Sequence, residues 1–389
     1  MKIVIIGGGI VGASLAIAIS NFSKNLIEIE LIEQKTKDQL FNIIESRTII
    51  FSYTTYKKLN EIGLWFQLKK YVHPIIDFNF SEYESFFDLN IKSDDYLIPA
   101  FGYTIKLRDM NFCIFNILKN KKNVSLYYSS KVVDIKYDLN YVYIKLDSGI
   151  SLSGNLLISA HGSDLIQNIN RDIIYIKKKY RQYAIIANIL TQKYFSKKAF
   201  EIFIKNDLIS LFPMKNQFYS LIWSHSMNKN DFLVKKNNFF LTNLEKYLEK
   251  KLGKIKLIEN IHFVPLFYMY AKKIISHRLV LIGNAAQTLH PIGAQGFNLS
   301  MQDIVLLSNI ISNASKNGKD IGEYIFLNQY QEQRHCDRMK VLFLIDQLVS
   351  LLINKNFFSS IYKKLLFFSI QNSSIVQDFF VYFGLGWKI

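Results

Sequence analysis

Unbroken apolar runs followed by glycine-rich breaks stand near both ends of the chain. Ile3, Val4, Ile5 and Ile6 precede glycines at 7, 8, 9 and 12, and small or apolar residues fill 13–19. An apolar run without alternation reads as a strand buried on both faces. The small-residue stretch reads as a helix packed closely on it. A second run, 27–32, ends at Glu33. Further on, residues 279–282 are again all apolar. A loop holding Gly283, Pro291, Gly293 and Gly296 follows, and the pattern predicts a helix over 299–311.

Between these ends the periodicity changes. Gly63 ends a short helix as its C-terminal cap. Residues 72–98 alternate in part (Ile75, Phe78, Phe80) and predict strands. Residues 102–108 lead into an amphipathic helix with Phe112, Ile114, Phe115 and Leu118 on its apolar side. Strands are predicted over 124–128, 132–137, 141–146 and 156–158, the last ending in Ala160-His161-Gly162-Ser163. A second domain is expected over 176–262, with strands including 184–190, 209–212 and 219–223. Its aromatic residues suit a greasy ring substrate, although each alone is better explained as core. Residues 320–389 read as helical, with Phe343, Leu344, Leu348, Leu351 and Leu352 forming an apolar face. Phe357, Phe358, Leu365, Leu366, Phe367 and Phe368 thicken that face, which suits core, a dimer interface or an in-plane membrane contact. The longest apolar stretch, 341–353, carries Asp346 and is too short to cross a bilayer.

The glycine breaks carry the candidate chemistry. Gly7, Gly9 and Gly12 fit G-x-G-x-x-G between a strand and a helix, and Glu33 stands where an acid takes the ribose hydroxyls of an adenine dinucleotide. The second loop makes another such cradle, in which glycines admit close backbone approach and the helix N-terminus attracts anions. Two cradles suit a long, two-ended cofactor and point to FAD rather than NAD. Arg47 and Arg108 are candidates to meet a phosphate or flavin oxygen, since arginine is sparse. The first segment also resembles a signal peptide, but its glycines weaken an apolar helical core and its removal would delete the cradle that Glu33 serves.

Composition narrows this picture little. The chain has 389 residues, enough for two domains with real cores. The formal net charge is +17, yet the lysines are scattered and accompany abundant Asn, Ile, Tyr and Phe, as in an AT-rich genome. No nucleic-acid-binding signature appears; attraction to an anionic membrane surface stays open. Cys113 and Cys336 are the only cysteines and form no C-x-x-C pair, which fits a reducing, cytoplasmic setting. The seven histidines show no metal-ligand spacing, so no metal is expected.

The Gly7-x-Gly9-x-x-Gly12 turn with Glu33, the stretch from Gly283-Asn284-Ala285-Ala286 to Asn298, and the strand ending at Gly162 resemble the single-component FAD-dependent aromatic hydroxylases. Within them the chain is similar to the ubiquinone-biosynthesis branch, above all to the 2-octaprenyl-6-methoxyphenol hydroxylase type. Asn284 with Ala285 to Pro291, Ala199-Phe200-Glu201, Leu211-Phe212-Pro213-Met214, Tyr330-Gln331 with Arg334, Asp337 and Arg338, and Leu385-Gly386-Trp387 carry that likeness. The resemblance implies an α/β fold of the p-hydroxybenzoate hydroxylase type. In it a Rossmann-like FAD-binding domain (1–75, 97–175 and 263–320) interleaves with a β-sheet substrate domain (76–96 and 176–262), followed by C-terminal helices (321–389). The implied cofactor contacts are Gly7, Gly9, Gly12, Glu33, Gly283, Asn284, Pro291, Gly293, Ala294, Gln295, Gly296 and Asn298. The implied reaction is hydroxylation of a polyprenylated phenol with NAD(P)H and O2 through a flavin hydroperoxide, in the cytoplasm or peripherally on the inner face of the membrane, near other ubiquinone-biosynthesis proteins. A base that deprotonates the phenol would help, and His290 is the candidate within the motif. Its alternative is a loop histidine bonded to backbone. Two departures stand out: His161-Gly162, then Leu165 and Gln167, replaces the family's Asp-Gly motif, and Ala294 replaces a glycine. A polyprenyl reductase on the same fold and a non-catalytic flavoprotein subunit of the ubiquinone-synthesis complex are the competing readings.

Overall fold

The computed structural model describes residues 1–41, 47–163, 172–226, 238–353 and 357–385. Leu165, Gln167, Gly386 and Trp387 lie outside the described residues, as do the side chains of Leu352, Phe357 and Phe358. The first layer is a six-stranded sheet in the order Ile275–Ser276, Leu279–Leu281, Leu156–Ser159, Lys2–Ile6, Glu28–Ile32, Val124–Tyr127. All neighbours are parallel except the antiparallel edge pair at Ile275–Ser276. Ile3 lies opposite Leu156 and Ile29, so three apolar runs stand side by side. Helices Ile10–Phe22, Leu107–Lys119 and Gln295–Lys316 share one core with these strands, which explains the absence of polar alternation.

The second layer is an eight-stranded sheet in the order Gln287–Thr288, Ile255–Ala271, Tyr175–Thr191, Phe218–His225, Asp207–Pro213, Lys198–Ile204, Asp77–Glu82, Asp88–Lys92. Ile255–Ala271 pairs with Tyr175–Thr191 from end to end. The expected boundary at 263 therefore falls inside a strand, because one long antiparallel pair carries the sheet on to residue 271. Helix Asn238–Leu252 covers one face of this sheet through Leu244, Leu248 and Leu252, and Tyr219, Leu221 and Trp223 are core on that face. A small sheet of Thr48–Ser52, Gly102–Lys106 and His73–Ile75 joins the two layers. Gly63 lies just past helix Tyr53–Glu61 with φ +82°, as its capping role requires.

Helices Tyr324–Ile353, Phe357–Asn372 and Ser374–Leu385 close the other face of the large sheet. Phe367 stacks on Phe87 at 4.3 Å, and Phe380 meets Phe80 edge-on at 4.9 Å. The expected apolar face here needs correction. Leu342, Ile345 and Val349 are the buried residues, whereas Phe343 is 61% exposed. The helix is apolar on more than one side, so periodicity alone does not choose its inward face. Phe367 faces inward, while Ile361, Tyr362, Leu365 and Phe368 are exposed. Likewise Phe112 is exposed, because the buried stripe of its helix runs through Leu107, Met110, Ile114 and Leu118. Among the described residues no helix is long and apolar enough to cross a membrane.

Candidate active site

Both glycine turns leave the carboxyl ends of parallel strands, separated in the sheet only by Leu156–Ser159. That is where open α/β sheets bind ligands. A Cβ on Gly283 would lie 3.0 Å from Val11 Cγ1, so the second cradle touches the helix of the first. The two cradles form one site.

The glycines of the first turn have different jobs. Gly7 has φ +104°, and a Cβ there would overlap the Ala160 carbonyl. A Cβ on Gly12 would overlap the Gly7 carbonyl. Gly9 has open space around it and begins helix Ile10–Phe22, which has no side-chain cap and no acid in its first turn. The free N–H groups and positive dipole end of that helix meet open space, which suits a pyrophosphate. Glu33 accepts hydrogen bonds from the Gly8 N–H at 2.8 Å and the Lys35 N–H at 2.9 Å. These fix its carboxylate beside the turn, and each oxygen keeps a further lone pair for a ribose hydroxyl. His161 hydrogen-bonds Ser159 in the turn that packs against Gly7.

The second cradle is built with more strain. Gly293 and Ala294 both lie in the left-handed region, at φ +64° and +51°. The alanine that stands in a glycine position thus pays about 1 kcal/mol for its Cβ. Ala294 also starts helix Gln295–Lys316, which has no side-chain cap and no acid in its first turn; Gly296 is open there. The Pro291 carbonyl accepts the Ala294 N–H at 3.0 Å. Asn284 is exposed. Gln295 donates to the Gly384 carbonyl at 3.1 Å. Asn298 Oδ1 accepts from the Ser52 N–H at 3.0 Å and Thr55 Oγ1 at 2.8 Å, so it ties the cradle to the start of helix Tyr53–Glu61. Arg47 and Arg108 are both exposed, and the Arg47 carbonyl accepts the Leu107 N–H, which places them at one edge of the small sheet.

The cradle also has a support that the sequence reading did not assign a role. Arg334 Nε donates to Asp303 Oδ1 at 2.6 Å, and Gln287 Nε2 donates to Asp303 Oδ2 at 3.1 Å. Arg338 donates to Gln287 Oε1 and the Ala271 carbonyl, each at 2.7 Å. All four side chains are buried, so the network fastens helix Tyr324–Ile353 to the cradle. Its sequence signal was the pairing of Arg334 with Arg338 at helical spacing in an arginine-poor chain.

A cavity of about 120 Å³ adjoins the cradle, bounded by the large sheet, the small sheet, Gly293–Gln295 and the C-terminal helices. Phe78, Phe80, Phe203 and Phe212 line it, and among the described residues Glu201 is the one ionisable side chain on its wall. A dry cavity of roughly 150 Å³ takes one benzene ring, so this chamber is of single-ring size. A wider, open groove of about 850 Å³, lined by Asn25, Glu28, Asn116 and Lys121 among others, includes neither glycine turn.

His290 does not line the chamber. It is buried; its Nδ1 accepts the Ile292 N–H at 3.2 Å, and its Nε2 lies 3.2 Å from Gln182 Oε1. With one nitrogen accepting and the other donating, the ring is neutral. Burial pushes its pKa down to about 3. Its place favours the alternative to a catalytic base: bonded to the Ile292 N–H and to Gln182, away from the chamber, His290 pins the loop to strand Tyr175–Thr191. Glu201, which sequence reasoning used only as a family mark, is the titratable group at the chamber. Its signal was a single carboxylate inside an otherwise apolar strand, Lys198–Ile204. Among the described residues no cluster of His, Cys, Asp and Glu could hold a metal ion.

Residues 182–342 match the family described as FAD binding domain. The chain is 26% identical to the ubiquinone biosynthesis monooxygenase COQ6 of Dictyostelium discoideum, over 92% of this chain and 85% of that one. It is 25% identical to the ubiquinone hydroxylase UbiL of Rhodospirillum rubrum, over 90% and 82%. Among solved structures, p-nitrophenol 4-monooxygenase PnpA of Pseudomonas putida superposes with a TM-score of 0.79 at 14% identity, covering 100% of this chain and 98% of that one. Klebsiella pneumoniae HpxO complexed with FAD and uric acid gives 0.78 at 14%, covering 99% and 97%. Uncapped helix ends at two joined glycine turns fit FAD, in keeping with the matched FAD-binding domain, and over most of its length the chain is similar to monooxygenases and hydroxylases.

Proposed function

We propose that this protein hydroxylates the aromatic ring of a polyprenylated phenol in ubiquinone biosynthesis, using NAD(P)H and O2. The observation that carries the proposal is the shared wall: the loop Gly293–Gln295 belongs both to the second cradle and to the single-ring chamber. A ring held in that chamber lies beside the cofactor's seat. The ubiquinone-pathway names of its relatives supply the substrate class.

FAD, when bound and reduced, supplies the activation of oxygen. The chain's own residues bind, orient and exclude water. The starts of helices Ile10–Phe22 and Gln295–Lys316 offer N–H groups to cofactor oxygens, and Glu33 offers acceptors to ribose hydroxyls. The phenylalanine walls keep the reacting ring dry, and Ile345, Phe380 and Val381 form the side contributed by the C-terminal helices. On this reading the cofactor part comprises 1–75, 97–175 and 272–320, and the substrate part 76–96 and 176–271.

The test is turnover of purified holoenzyme with NADPH, a prenylated phenol and isotopically labelled O2. Label in the ring of the product is the expected result. Substrate reduction without label would point to a polyprenyl reductase and overturn the proposal.

A further inference from the structure

We infer that Glu201 receives the hydroxyl of the phenol held in the apolar chamber and takes its proton as the ring is oxygenated; this rests on the hydroxylase reading above.

Glu201 is an expensive residue where it stands. It is 3% exposed, in the middle of strand Lys198–Ile204, opposite Phe80 on one neighbour and Ser210 on the other. A buried carboxylate without a cation costs several kcal/mol unless it is well hydrogen-bonded. Its support is thin: Ser210 Oγ lies 3.4 Å from Oε1, and the Gly293 N–H is its other partner. A carboxylate has about four acceptor sites. Capacity therefore remains for a donor in the chamber, and a phenol hydroxyl is such a donor.

Among the described residues no other charged side chain lines the chamber beside Glu201. The sheet presents Phe78, Phe80, Phe203 and Ser210 on this face. The loop presents Gly293, and its histidine, His290, is neutral and bonded to Gln182. The C-terminal helices present Leu348 and Phe380 at the chamber. The charged groups on the same face are paired with each other: Glu82 with Lys363 at 2.6 Å, two residues further along the neighbouring strand, and Asp346 with Lys178 at 2.8 Å and with the Tyr180 hydroxyl at 3.1 Å. Burial alone raises the Glu201 carboxyl to about 7, so near neutral pH it passes between acid and base.

The step balances. The phenol O–H bond breaks, and Glu201 takes the proton. The electron pair left on oxygen is delocalised into the ring, making the ring carbon a better nucleophile toward the oxygen that O2 and the reduced flavin supply. The O–O bond breaks as the new C–O bond forms; the ring carbon then loses its own proton to the second atom of O2, which leaves as water, and as aromaticity returns Glu201 gives its proton back to the phenol oxygen.

The experiment uses FAD-loaded protein in two arms. In the first, equilibrium binding of 2-prenylphenol and of its methyl ether is followed by flavin fluorescence on both sides of neutral pH. Wild type is expected to bind the phenol about tenfold more tightly on the alkaline side, where the carboxylate accepts the hydroxyl, and the ether, which has no proton to give, no more tightly there. Glu201→Gln should lose the dependence and bind the ether within about twofold of wild type, while Glu201→Asp regains it. In the second arm, Glu201→Gln should lower kcat on the order of 100-fold with KM moved far less. Flavin content and Tm check that each variant folds; if Glu201→Gln does not, the wild-type phenol and ether comparison still decides. Phenol binding indifferent to pH in wild type, or an unchanged kcat in Glu201→Gln, overturns the inference and leaves hydroxylation standing. A wild type that inserts no labelled oxygen removes both.

Discussion

The two glycine cradles do related work with different construction. In the first, Gly7 and Gly12 are fixed by backbone that leaves no room for a Cβ, and the elements that meet there come mostly from residues 2–33. In the second, a left-handed alanine is tolerated, and the loop is held from outside by Arg334, Arg338, Asp303 and Gln287. The first cradle is shaped by local steric fit. The second is shaped by long-range polar clamps, and it is the one whose loop faces the chamber. The first turn is thus rigid by packing, whereas the loop shared by cradle and chamber is set by contacts from both sides.

The largest effect that would break this contrast is removal of the clamp. Arg334→Met strands the Asp303 carboxylate in the core, and denaturant unfolding should show a loss of about 3–5 kcal/mol. A loss below about 1 kcal/mol would mean that the loop holds itself, as ordinary surface ion pairs leave their surroundings unchanged. Next comes the first turn. Gly12→Ala should cost roughly 2–3 kcal/mol by overpacking. Gly9→Ala, in open space, should leave stability within about 0.5 kcal/mol. Yet Gly9→Ala should weaken FAD binding, read by flavin retention on dialysis; equal stability losses in both variants would sink the division between packing and ligand-facing glycines. The smallest effect is a gain: Ala294→Gly should relieve the strained φ and stabilise by up to about 1 kcal/mol, seen as a higher Tm.

The same difference explains what the sequence disclosed. The first cradle was legible because strand, turn, helix and Glu33 follow one another within one local pattern. The second was legible as a loop, and Ala294 could be flagged as a glycine position. Its clamp was not, since Arg334 reaches Asp303 only through tertiary packing. His290 looked catalytic by its place in a motif, but a motif does not reveal that both ring nitrogens are bonded within the protein. Glu201 was noted only as a family mark, for the opposite reason: strand alternation records which face a residue takes and not what shares that face. In helix Tyr324–Ile353 apolar residues surround the axis, so Phe343 could not be told from Leu342.

The chamber's wall has a consequence for synthesis on the ribosome. Residues 2–33 emerge some 250 residues before the parallel strand at Leu279–Leu281 that carries the partner turn, and Phe380 and Val381 follow later still. Contacts so distant along the chain are slow to form, and apolar surface waits exposed in the interval. The face of the large sheet that lines the chamber is thus left uncovered until the C-terminal helices follow, and in that interval its apolar surface is open to chaperone engagement.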